Sequence, residues 1–225
     1  MKYQLIYSEE LLKEFLSLLP EETEDEVYYI SLFARKKYCP ELIWSNDKTQ
    51  LRRLTSKKRD IIKKIKQLEV DYGLYDLNGK IVPQESLVIY INPNPRSQIK
   101  ATRILMKKLT DIICDNAKGF NVHQEALSAL QKSKSKGYFI DFDIDVKDKS
   151  TFDINIVYNY VNRESVTIVE TRGGYHCLLK VAKINGEYKK SFYQNLSKFS
   201  DVEGDCFIPI PGTIQGGFEV KILKK

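Results

Sequence analysis

Between Gly137 and Asp145 the chain reads GYFIDFDID. An apolar run, Tyr138-Phe139-Ile140, passes into strict alternation of Asp141, Phe142, Asp143, Ile144 and Asp145. Alternation at period two is a strand pattern, and it puts the aspartates on one face. Aspartate is disfavoured in strands and like charges in a row repel, so something must offset the cost. A pair of divalent cations would do so. Hard carboxylate oxygens suit Mg2+ or Mn2+, and two such ions about 3.5–4 Å apart form the clamp used for phosphoryl transfer between nucleotides. The same pattern also suits a solvated edge strand protected by its charge.

The elements that must position these residues come from a chain of 225 residues, 42% apolar, with a net charge of +6. That is enough for one large domain or two small ones with a real core. The basic excess suits a polyanionic partner without proving one. Cys39, Cys114, Cys177 and Cys206 are far apart with no CxxC pair, which gives no support to a zinc ribbon or a disulfide framework. Buried free thiols in a reducing compartment are expected instead. No apolar run reaches membrane-spanning length and no signal peptide is visible, so a cytoplasmic protein is expected.

Ser8 is placed to cap a helix to Leu19, and Val27–Phe33 reads as a strand running into the basic patch Arg35, Lys36, Lys37. Gln50 to Val70 reads as a basic helix whose apolar stripe is Leu51, Leu54, Ile61, Ile62, Ile65 and Leu68. Ser86–Asn92 is a strand ended by Asn92-Pro93-Asn94-Pro95. From Arg96 to about Asp115 a helix is expected, with Ala101, Ile104, Leu105, Leu109, Ile112 and Ile113 inward. Arg96, Lys100, Arg103 and Lys107 then make one basic stripe, with Arg96 at the anion-attracting N-terminus. These residues are the nucleic-acid contact candidates. A helix over Val122–Gln131 precedes the aspartate strand.

After that strand, Phe152–Asn162 permits helix or strand. Val166–Thr171 and Tyr175–Val181 form a hairpin across Arg172-Gly173-Gly174. Tyr188–Phe199 fits a helix and Cys206–Ile210 a short strand. The fold class is therefore α+β. An N-terminal α/β unit (1–136) packs on a βαββαβ, ferredoxin-like or RRM-like unit (137–225). In that topology the first and third strands are central neighbours, so Asp141, Asp143 and His176 share a sheet face, and a strand bearing Asp205 lies beside one of them.

The ordered set FIDFDID, ETRGGYH and GDCFIPIPGT resembles the catalytic motifs of the archaeo-eukaryotic primase superfamily, the primase-polymerases. Asp141 and Asp143 match its acidic-x-acidic strand, and His176 its small-x-His motif. Asp205, ahead of Pro211-Gly212-Thr213, matches its third acid. Asp201 and Glu203 lie near that position, and Asp145 is an extra carboxylate. Gly174 stands where many members have Ser, and it still leaves room for phosphate. The resemblance implies that Asp141, Asp143 and Asp205 hold two Mg2+ or Mn2+ ions and that His176 meets the phosphates of an incoming NTP or dNTP.

Arg172, Gly174, Thr213 and Lys221 are further nucleotide-binding candidates. Arg172 reads equally as a hairpin cap, and Thr213 and Gln215 as turn residues. His123 reads as a surface residue. The expected activity is that of a DNA primase or polymerase, a monomer extending or starting primers on single-stranded DNA, with any helicase a separate chain of a prokaryotic or viral replication machinery. A nucleic-acid-binding replication protein without catalysis and a two-metal nuclease are the alternatives. A paired-histidine nickase lacks its His-x-His here.

Overall fold

The computed structural model describes residues 1–40, 47–114, 119–203 and 207–223. The chain begins with α1 (Glu9–Leu18), β1 (Glu26–Arg35), β2 (Lys48–Ser56) and α2 (Ile61–Lys66). A small hairpin follows, β3 (Asp76–Leu77) and β4 (Lys80–Ile81), then β5 (Leu87–Ile91), β6 (Arg96–Ser97), α3 (Gln98–Cys114) and α4 (Val122–Lys132). The second half contains β7 (Phe139–Asp145), β8 (Val166–Thr171), β9 (Gly174–Lys180), α5 (Phe192–Leu196) and β10 (Asp201–Glu203). It ends with β11 (Ile208–Pro209), β12 (Ile214–Gln215), β13 (Phe218–Glu219) and β14 (Lys221–Ile222). The class is α+β, with antiparallel sheets. No described helix is long and apolar enough to cross a membrane.

The first sheet has the order β13-β12-β5-β1-β2, with β11 also on β5 and β6 also on β1. The first nine residues of β1 are buried, because apolar residues occupy both of its faces. Tyr28, Ile30, Leu32 and Ala34 enter the main core with α1 and α2, while Phe33 packs with Tyr38, Val88 and Tyr90 on the other side. Ser8 caps α1 by accepting the Leu11 N–H at 3.2 Å, as its sequence position suggests.

The expected basic helix over Gln50–Val70 is instead the edge strand β2 followed by the short α2. A bulge explains the misreading. Leu32 of β1 faces Arg52 and Phe33 faces Gln50, leaving Leu51 as the extra residue. The extra residue lets Leu51 and Leu54 both pack on the main core, a spacing of three that imitates a helix. The helix expected from Arg96 starts at Gln98. Arg96 and Ser97 are extended and pair with Val27 and Glu26, and the Ser97 hydroxyl accepts the Lys100 N–H at 3.1 Å as the helix cap.

The second sheet has the order β10-β7-β9-β8-β14. Counted along the chain, β7, β8, β9 and β10 lie fourth-first-third-second, with all neighbours antiparallel. The segment 152–162 is neither long helix nor strand. It holds 3-10 turns over Ile154–Asn159, opened by Asp153 accepting the Asn155 N–H, and it buries Val157 and Val161. The Tyr188–Phe199 helix shortens to α5. The strand expected over Cys206–Ile210 does not join this sheet, because Ile208 and Pro209 pair with Ile91 and Tyr90 of β5. The chain thus crosses back to the first sheet before β14 returns to the second beside β8.

A candidate active site in the cleft between the sheets

β7 is held at its start by a side chain from the first sheet's end. Asn94 is buried. Its Oδ1 accepts the N–H groups of Tyr138 and Phe139 at 2.8 and 2.9 Å, and its Nδ2 donates to the Phe139 carbonyl at 3.0 Å. The side chain does for Phe139 what a neighbouring strand would do. The opposite face of β7, Phe142 and Ile144, is buried in the second core. With that face committed, Asp141, Asp143 and Asp145 turn to the other side.

β9 brings His176 into register with Asp143. The ring nitrogen Nδ1 lies 2.8 Å from Asp141 Oδ2, and Nε2 lies 3.7 Å from Asp143 Oδ1. Asp141 and His176 are buried, whereas the Asp143 side chain is 38% exposed and Asp145 is at the surface. The imidazole therefore stands between two carboxylates, and Asp141 orients it. Behind the sheet, burial and then the charges of Asp141 and Asp143 push the Cys177 thiol pKa up.

The carboxylates and His176 form one wall of a cleft of about 280 Å3 whose other wall carries Arg35, Lys37 and Lys48, with Tyr90, Phe207, Pro209 and Gln215 between them. Arg35 and Lys48 are cross-strand partners on β1 and β2. The Arg35 guanidinium is clamped, with Nε and Nη2 donating to Asp47 Oδ2 at 3.1 and 2.9 Å and Nη1 to the Tyr90 hydroxyl at 2.8 Å. Asp47 Oδ1 in turn accepts the Lys37 N–H at 2.9 Å. Burial works against the charge on Arg35, but the Tyr90 oxygen and the Asp47 carboxylate outweigh it and hold its pKa up. Burial pushes the Tyr90 hydroxyl pKa up. The Lys48 ammonium lies 4.8, 4.6 and 5.8 Å from the ring centres of Phe33, Tyr90 and Phe207, within cation–π range. Negative and positive walls facing across a small cleft suit a ligand that carries both bound cations and phosphates.

The residues fit divalent cations in two respects. Among the described residues, the buried Asp141 Oδ1 meets no hydrogen-bond partner, an arrangement costly for a carboxylate unless a cation meets it. Asp201 of β10 lies directly opposite Asp143 in register, so two acids share one face at neighbouring positions. Among the described residues no group of three or more His, Cys, Asp and Glu side chains closes into a ligand cluster. Asp205, the expected third acid, lies outside the described residues.

The other candidates sit elsewhere. Arg172 points from the β8–β9 turn to the Gly216 carbonyl and lies 4.8 Å over the Tyr38 ring, while its N–H donates to Gln215 Oε1 at 2.7 Å. It thereby ties two turns together. A Cβ on Gly174 would lie 2.0 Å from the Ile144 carbonyl oxygen, so β7 itself demands a glycine there. Thr213 is buried and donates to the Ile210 carbonyl at 2.7 Å. Lys221 lies on β14 at the far edge of the second sheet, opposite Glu170.

Arg96 is fully buried and offers no surface to phosphate. Lys100, Arg103 and Lys107 are all exposed on α3, and Lys100 donates to the Lys134 and Ser135 carbonyls at 3.1 and 3.0 Å. Of the cysteines, Cys177 is buried as expected, Cys39 partly so, and Cys114 is exposed. The basic wall was visible in sequence only as the patch after β1. Its pairing with Lys48 needed the β1–β2 register. Comparison with protein-family models, curated proteins and solved structures finds no match.

Proposed function

We propose that the chain is a nucleotidyltransferase of the primase-polymerase type. The observation that carries the reading is the convergence of Asp141, Asp143 and His176 on one wall of a cleft whose facing wall is Arg35, Lys37 and Lys48. The motifs FIDFDID and ETRGGYH supply the acids and the histidine. The fourth-first-third-second order of β10, β7, β9 and β8 supports a ferredoxin-like or RRM-like unit.

In this reading a primer 3′-hydroxyl attacks the α-phosphate of a bound nucleoside triphosphate. The new phosphodiester bond forms as the α–β bond breaks, and pyrophosphate leaves. Asp141 through Oδ1, Asp143, and a third acid, either Asp201 opposite Asp143 or Asp205 as the sequence motif has it, would hold Mg2+ or Mn2+. Such ions acidify the attacking hydroxyl and offset charge on the leaving oxygens. Arg35, Lys37 and Lys48 hold the triphosphate in place of the expected Arg172 and Lys221. Arg35 does so from a clamped, preorganised geometry. His176, oriented by Asp141, borders the same phosphates.

The test is incorporation of labelled nucleotides on single-stranded DNA with Mg2+ or Mn2+, with and without primer, beside Asp141→Ala/Asp143→Ala. Metal-dependent synthesis lost in the variant is expected. Synthesis that survives Asp141→Ala, or metal-dependent loss of input DNA without incorporation, overturns the assignment.

A further inference from the structure

Helix α3 rests on α4, and the Lys108 ammonium meets Glu125 Oε2 at 2.5 Å across that contact. Among the described residues, one flank of α3 is used this way. Ala101 is its buried residue and Leu105 and Ile112 are half-buried. On another flank stand Ile99, Met106 and Ile113, which are 53%, 63% and 71% exposed. They recur every seven residues, and Thr102 and Leu109 fall between them at the alternating three-and-four spacing of a coiled-coil seam. Thr102 and its neighbour Thr110 return their hydroxyls to the helix, donating to the Gln98 and Met106 carbonyls at 2.9 and 3.0 Å. Their donors are satisfied without a partner, so this flank can be covered by apolar surface without stranding a hydroxyl.

Arg103 and Lys107 are exposed and follow the seam along one side at helical spacing. A second copy of this chain would bring the same cations against them. An acidic helix would pair with them while burying the three large side chains. We infer that α3 is a docking seam for an acidic amphipathic helix of a partner protein, presented every seven residues by Ile99, Met106 and Ile113 and selected by Arg103 and Lys107. This surface is separate from the cleft and does not depend on the cleft's chemistry.

The test uses the full chain and a dye-labelled synthetic three-heptad helix with Leu at the a and d positions and Glu at e and g. Its charge-swapped twin carries Lys at e and g. Binding of the Glu peptide by fluorescence anisotropy is expected, at least about tenfold tighter than the Lys peptide at low salt, with the gap narrowing as salt screens the pairs. Met106→Glu and Ile99→Glu are surface changes that should leave the thermal melt in place and weaken the Glu peptide at least about tenfold. Arg103→Glu/Lys107→Glu keeps the apolar seam and should invert the preference toward the Lys peptide.

Equal binding of both peptides, or none, overturns the inference. So does sedimentation showing a dimer that Met106→Glu dissociates, which would give the seam to a second copy. Displacement of the peptide by single-stranded oligonucleotide whose own binding is lost in Met106→Glu would give it to nucleic acid.

Discussion

Asn94→Ala should damage this protein twice, through stability and through the cleft. The substitution removes three hydrogen bonds of 2.8, 2.9 and 3.0 Å at the entry to β7. It leaves the buried Phe139 without partners for its N–H and carbonyl on that side. Each such group costs about 1–3 kcal/mol when unsatisfied, and the half-buried Tyr138 N–H adds less, so a loss of about 3 kcal/mol is expected. That is a large part of the roughly 5–15 kcal/mol a domain has. Asp141 follows two residues later with its position set by this anchor, and a shift of about 1 Å at a reacting group can cost roughly a hundredfold in rate. Ile65→Ala is the matched control. It empties a fully buried site on α2, remote in sequence from β7, and costs a similar roughly 2–5 kcal/mol. Urea unfolding should place the two variants together, and nucleotide incorporation at a temperature where both are folded should separate them, with Asn94→Ala far lower. A stability loss under about 0.5 kcal/mol, or equal activity in the matched pair, refutes the reasoning.

Gly174→Ser, which would place there the residue that many primase-polymerases carry, should destabilise by at least about 3 kcal/mol, because its Cβ would lie 2.0 Å from the Ile144 oxygen. A urea midpoint near that of the wild type would contradict the register of β7 and β9. Arg35→Ala and Lys48→Ala should each weaken nucleoside triphosphate binding about tenfold or more in a titration, with Arg172→Ala close to wild type. The reverse ranking would return the triphosphate to the hairpin turn. Cys177 gives an alkaline signature. Burial, reinforced by Asp141 and Asp143, keeps its folded pKa above the unfolded value. Below the ordinary thiol pKa both states hold the proton and stability is unaffected. Above it only the unfolded chain ionises, so stability falls as pH rises, by about 1.4 kcal/mol per unit from this group. Between about pH 8 and pH 10 Cys177→Ala should show a shallower decline in urea midpoint than wild type. Parallel slopes would show that the thiol is not held in its protonated form.

The division between what the chain disclosed and what it withheld follows the range of the interactions. β7 was legible because period two is local and because Phe142 and Ile144, buried in the second core, leave the aspartates one direction to face. The β8–β9 hairpin was legible from its Gly-Gly turn, and with it the neighbourhood of His176 and Asp143. Arg96 was misread because a two-residue strand leaves no period, and its partner Val27 is far away in the chain. The inner face assigned to α3 was too wide. A helix resting on one other helix covers a narrow arc, so Ile113 is exposed although its spacing fits a core. The basic wall depended on a bulge at Leu51 that no propensity scale encodes, since only the β1–β2 register sets Lys48 against Arg35. The turn residues Asn92 to Pro95 read as punctuation that ends a strand. In the fold they do more, because Asn94 reaches the backbone of Phe139 and joins the sheet that supplies the cations to the strand that supplies the acids. The cleft's chemistry is thus written in two segments far apart in the chain, and the asparagine side chain that fixes their spacing carries no chemical signature of its own.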